Sequence, residues 1–196
     1  MRLAWYVEAP HRPYRMNPFT DVFKAWFTTI IYIMTIFLSS GAVGAIQIWL
    51  RHQGMQRIVS AALLAVFVVL VVRIVVFRLN KRAVGDIAAL FTAGLVYVYL
   101  IKAYAKAPSD WMHLVEYPPL AVITYYSLKF SVRGWVALVC ALLLTSAVGA
   151  GDEFTQRYIP GRTSDIHDFI VNVVSSAVAL AFVWAVIERK EKVVEG

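Results

Sequence analysis

The sequence predicts an all-α fold, a polytopic membrane helix bundle of about six transmembrane helices. Two observations predict it. Of its residues, 60% are hydrophobic and the mean hydropathy is +0.67, whereas a soluble domain carries roughly 45–50% apolar residues. The excess lies in long blocks, and a bilayer core asks for about 20 apolar residues per helix. Soluble globular and disordered classes are thereby excluded, and 196 residues suit one compact domain.

The blocks follow in order. Residues 1–24 form an aromatic and basic arm, from Trp5 through Phe19, that suits the membrane interface on the cytoplasmic side. The first block runs from Ala25 to Leu50. Ser39-Ser40-Gly41-Ala42 resembles a small-residue cleavage region, but the apolar stretch continues beyond it, so we read an uncleaved first helix. The second block is Ile58 to Phe77, with Arg73 near its end where it can snorkel, and the third is Ile87 to about Ala103. Tyr117 to Phe130 is too short alone and must begin near Asp110. That places Pro118 and Pro119 inside the helix, where missing backbone donors predict a kink. The fifth helix runs from about Gly134 to Ala150, with a continuation through Tyr158 open to it, and the sixth from about Asp165 to Ile187. The membrane domain is thus 25–187, followed by a charged tail, 188–196.

The net charge of +7 resembles a nucleic-acid signal, but Lys and Arg fall almost entirely between the apolar blocks. There they orient the protein and meet anionic lipid headgroups, so membrane lipids are the expected partners and nucleic acid is not. Thirteen Lys and Arg residues lie on the side of both termini and six on the other, which puts both termini in the cytoplasm. Trp26, Trp49, Tyr104, Trp111, Trp135 and Tyr158 sit at block ends, as an interfacial belt requires. The single cysteine, Cys140, forms no intrachain disulfide and reads as a small apolar side chain.

The chemistry collects in one place. Residues 151–172, GDEFTQRYIPGRTSDIHDFIVN, are the densest polar stretch, wedged between the last two apolar helices. Glu153 and Gln156 share a helical face at the end of the fifth helix, and Pro160-Gly161 turns the chain. Thr163, Ser164 and Asp165 are helix-start residues. Asp165, Asp168 and Asn172 share a face of the sixth helix, Asn172 lying about 10 Å deeper than Asp165. His113, Glu116 and Tyr117 share a face at the start of the fourth helix, on the same side of the membrane as the motif, so the two clusters are placed to line one cavity. His167 falls off the shared face and reads as solvated.

Glu153, Gln156, Pro160, Gly161, Arg162, Asp165, Asp168 and Asn172 resemble the motif of the VanZ-like family: Glu-x-x-Gln, a Pro-Gly-Arg turn, then Asp-x-x-Asp-x-x-x-Asn. His113 with Tyr117 matches the family's His and following aromatic, and the resemblance is specific over 110–187. The chain departs from it at Ser109-Asp110, where the family often has Asp-Lys, and at Ser175, where it often has Gly. The resemblance implies a membrane location, expected to be the bacterial inner membrane, and marks the motif as the site. It supplies no reaction.

Intramembrane polar groups are expensive and are usually kept for function. In that reading Arg162 grips an anion with its planar fork, and Glu116, Gln156, Asp165 and Asn172 help to bind it. His113, Glu153 and Asp168 are the candidate catalytic groups if the ligand is also processed. The bland alternative is an ion-pair network tying two helix ends. His113, Glu116, Glu153, Asp165 and Asp168 also offer oxygen and nitrogen ligands, but no compact metal spacing exists and no metal or cofactor is assigned. Two functions follow as expectations. One is a cell-envelope lipid protein that binds or processes an anionic lipid or lipid-linked precursor at the extracytoplasmic face. The other is a non-catalytic accessory subunit held among other membrane-protein subunits by its apolar faces.

Overall fold

A computed structural model describes residues 18–78, 83–104, 110–160, 162 and 164–188. The arm up to residue 17, basic residues Lys81, Arg82 and Lys106, the departure at Ser109, Gly161 and Thr163 of the motif, and the tail from 189 lie outside the described residues. Among the described residues there are six α-helices: α1 Pro18–His52, α2 Gln56–Arg73, α3 Val84–Ala103, α4 His113–Leu128, α5 Trp135–Gln156 and α6 Ile166–Phe182. Pro18 opens α1, a position where a missing amide costs nothing. Both α2 and α6 continue as wider π-helical turns, Ile74–Arg78 and Val183–Glu188. Gly54 turns the chain between α1 and α2 with φ 68°, a left-handed conformation that glycine adopts without strain.

Five of the described helices are long and apolar enough to cross a membrane: Thr20–Ser40, Gln56–Phe77, Val84–Ala103, Trp135–Gln156 and Ile166–Ile187. Trp49, Trp135 and Tyr158 are exposed near helix ends, as an interfacial belt requires.

The exception is α4. Its 16 residues rise only about 24 Å, and the 3₁₀ turn Asp110–Met112 before it adds about 6 Å. It is nevertheless the centre of the bundle. Leu114 packs with Leu100 of α3 and Val171 of α6. Tyr117 and Leu120 pack with Ile36 of α1. Ala121, Tyr125 and Leu128 pack with Ala137 and Ala141 of α5 and with Leu180 and Val183. A helix enclosed by protein can tolerate missing backbone bonds that lipid would not satisfy. Pro118 and Pro119 lie inside α4, where the sequence places them. Tyr32 of α1 donates its hydroxyl to the Glu116 carbonyl just before them, at 3.1 Å.

Close approach of α4, α5 and α6 depends on a glycine. A Cβ at Gly149 would lie 3.3 Å from Asn172 Cβ, Asn172 Nδ2 and Tyr117 Cε1. By contrast α2 and α3 are peripheral. Their buried residues are Gln56 and Ser60 on α2 and Asp86 and Leu100 on α3, and most of their large apolar side chains are exposed. That exposed apolar surface is what a bilayer-facing helix presents.

Candidate polar centre at one end of the bundle

The carboxyl end of α5 and the amino ends of α4 and α6 meet at one end of the bundle, and the carboxyl end of α3 joins them. Tyr104, just after α3, stands 6.1 Å from the His167 ring at the start of α6. His113, Glu116, Glu153, Gln156, Arg162, Asp165, Asp168 and, deeper in, Asn172 lie at this end.

Asp165 caps α6. Its carboxylate accepts the His167 amide at 3.0 Å, as a helix start requires. The same oxygen stands 2.6 Å from His167 Nδ1, so His167 is paired and partly exposed rather than simply solvated. The Asp165 amide donates to Glu153 Oε2 at 3.1 Å, tying the start of α6 to the end of α5. One turn on, Asp168 turns inward, and a further turn on Asn172 is 1% exposed. Neither polar atom of the Asn172 side chain has a hydrogen-bond partner among the described residues. Ser175 is fully buried and donates to the Asn172 carbonyl at 3.2 Å, so the serine fits where the family often has glycine.

The two sequence clusters meet through His113. Its Nε2 lies 4.0 Å from Glu153 Oε1 and 3.9 Å from Asp168 Oδ2, and all three residues are buried. The Arg162 guanidinium lies within electrostatic reach of His113, Glu116, Glu153 and Asp168. Asp110 lies within the same reach of His113 and Asp168. Carboxylates therefore outnumber the single guanidinium, and burying such an excess is costly unless protons or a cation offset it.

Beneath this group lies a brace that the sequence reading missed. Asp152 is wholly buried and accepts from Ser40 Oγ of α1 at 2.5 Å, Tyr117 Oη of α4 at 3.2 Å and Gln156 Nε2 of α5 at 3.1 Å. Gln156 thus turns its amide to Asp152. The i, i+4 spacing of Asp152 and Gln156 was the available signal. Nothing comparable marked Ser40, a small residue in an apolar helix.

A family model described as VanZ/LLP1 matches residues 11–187. The match reaches upstream of residue 110, into the helices where the sequence motif gave no specific resemblance. No curated protein and no solved structure matches the chain.

Proposed function

This chain belongs to the VanZ/LLP1 family of membrane proteins, and on that footing we propose that its polar centre binds the anionic headgroup of a cell-envelope lipid or lipid-linked precursor. The observation that carries this reading is Arg162. It stands just before the amino end of α6, among buried polar groups, at one end of a bundle with an apolar lateral surface. A molecule that meets both features has a charged head and an apolar tail. Arg162 provides a full charge and a bidentate fork, and the start of α6 adds partial positive charge from its amides. Glu116 lies within electrostatic reach of the arginine, and Asn172 offers polar side-chain atoms deeper in the bundle that have no hydrogen-bond partner among the described residues. If the headgroup is processed as well as bound, His113, Glu153 and Asp168 are the groups able to move a proton. In this reading the centre faces outside the cytoplasm, which the positive-inside asymmetry supports, and the membrane is a bacterial inner membrane, which the family membership supports.

A second reading has one observation in its favour. The sparse burial along α2 and α3 leaves long apolar faces that would suit a neighbouring subunit as well as lipid. Mass spectrometry of lipids retained by the purified protein separates the two. The headgroup reading expects one class of phosphate-bearing lipid enriched over its share of the membrane, and depleted in Arg162→Ala. Retained lipid matching the bulk membrane, together with stoichiometric co-purification of another membrane protein, supports the subunit reading instead.

A further inference from the structure

We propose that His113, Glu153 and Asp168 form a binding site for one divalent transition-metal ion. Three helices contribute one ligand each, and the imidazole nitrogen and two carboxylate oxygens all lie within 4.8 Å of one another. The two nitrogen–oxygen separations, 3.9 and 4.0 Å, are too long for hydrogen bonds. The groups therefore converge on a shared point without bonding to one another. Two ligand atoms held about 2.1 Å from an ion at a tetrahedral angle lie about 3.4 Å apart. Closing on an ion would shorten the two His113 separations by only about half an ångström and the carboxylate pair by at most about 1.4 Å.

The orientation of Glu153 supplies an independent observation. This residue is 6% exposed. Its Oε2 is fixed by the Asp165 amide, while Oε1, the atom turned toward His113 Nε2, has no hydrogen-bond partner among the described residues. An unsatisfied carboxylate oxygen in such a place is expensive, and an ion is the partner that would satisfy it and His113 Nε2 together. Charge points the same way. Asp110, Glu153 and Asp165 add to the negative potential at Asp168, and among the described residues Arg162 opposes it there. A doubly charged ion would offset the excess carboxylates that one arginine leaves.

The ligand chemistry selects the class of ion. Calcium and magnesium favour all-oxygen surroundings, whereas an imidazole joined to two carboxylates suits zinc, manganese or iron(II). Three protein ligands leave at least one position open on a bound ion. The site does not depend on the headgroup reading, since it is defined by protein atoms alone. With an ion in place, these residues would act as ligands rather than as free acids or bases.

The test uses the full chain, without a histidine tag, purified in detergent, stripped with chelator, and equilibrated with Zn²⁺ or Mn²⁺ alone. The expected result is about one ion retained per chain and a raised melting temperature, with binding weakened at least about 100-fold in His113→Gln and in Glu153→Gln. His52→Gln, at the far end of α1, should bind as the parent does. Less than a tenth of an ion per chain at tens of micromolar metal overturns the proposal, as does unchanged binding in both ligand variants. Should those variants fail to fold, Co²⁺ added to the parent decides. Visible d–d bands of a nitrogen–oxygen site are expected, and a spectrum equal to that of Co²⁺ in detergent buffer overturns the proposal.

Discussion

Replacing Asp152 with alanine removes the acceptor of three hydrogen bonds that join α1, α4 and α5. The losses are unequal. Ser40 can turn its hydroxyl to the Ile36 carbonyl, already 3.1 Å away, so it is not stranded. Tyr117 and Gln156 are almost completely buried and would each keep a donor with nothing to bond. Hydrogen bonds between membrane helices average about 0.6 kcal/mol, whereas a stranded buried donor costs about 1–3 kcal/mol. With two stranded donors the expected cost is therefore about 2–6 kcal/mol. At about 2–4 °C per kcal/mol for a chain of this size, the melting temperature should fall by at least about 4 °C. Asp152→Asn is the informative partner. Its carbonyl oxygen can still accept from Tyr117 and Gln156, and its amide can donate to Ser40 Oγ while Ser40 bonds Ile36. It should lose under about 2 kcal/mol. Thermal unfolding in a mild detergent, followed by size-exclusion fluorescence, measures both. If the alanine variant melts with the parent, Asp152 is not the brace described and its three hydrogen bonds do not tie α1, α4 and α5 together.

Three further outcomes are expected. Gly149→Val should destabilise the bundle by about 1–3 kcal/mol, because its branched side chain enters a contact already at 3.3 Å to Asn172 and Tyr117; a stable variant with unchanged melting would show that α4, α5 and α6 are not held at that distance. Arg162→Lys should leave expression in the membrane intact while lipid retention is lost, since the charge remains but the planar fork does not; Arg162→Ala should lower expression as well, by leaving buried carboxylates unpaired. In a Cys140→Ser background, a cysteine at position 158 should label from outside intact cells and one at position 192 should not; the reverse pattern would invert the topology.

The spans were legible because each needs a long apolar run, and the ends of α2, α3, α5 and α6 fall close to the block boundaries. The packing was less so. In a soluble protein an apolar stripe reveals the buried face, but in lipid both faces of a helix are apolar and the stripe disappears. The residues that mark the inner face here are small or polar: Gly149, Asp152, Asn172, Ser175 and Ser176. Asn172 was found by its spacing from Asp168. Asp152 was overlooked beside Glu153, whose place in the Glu-x-x-Gln motif drew attention away from it. The common end of His113, Glu153 and Asp168 follows from counting spans, yet their convergence within 4.8 Å depends on α4 sitting at the centre of the bundle. Neither its length nor its two prolines suggested that position.

The most direct test of the central claim is a binding titration of delipidated protein with two lipids that share the same acyl chains, one bearing a phosphomonoester head and the other a neutral hydroxyl head, read by native mass spectrometry. The account predicts at least about tenfold preference for the phosphate-bearing lipid, the worth of about 1.4 kcal/mol, and loss of that preference in Arg162→Lys. Equal binding of the two lipids by the parent, or a lysine variant as selective as the parent, would contradict it.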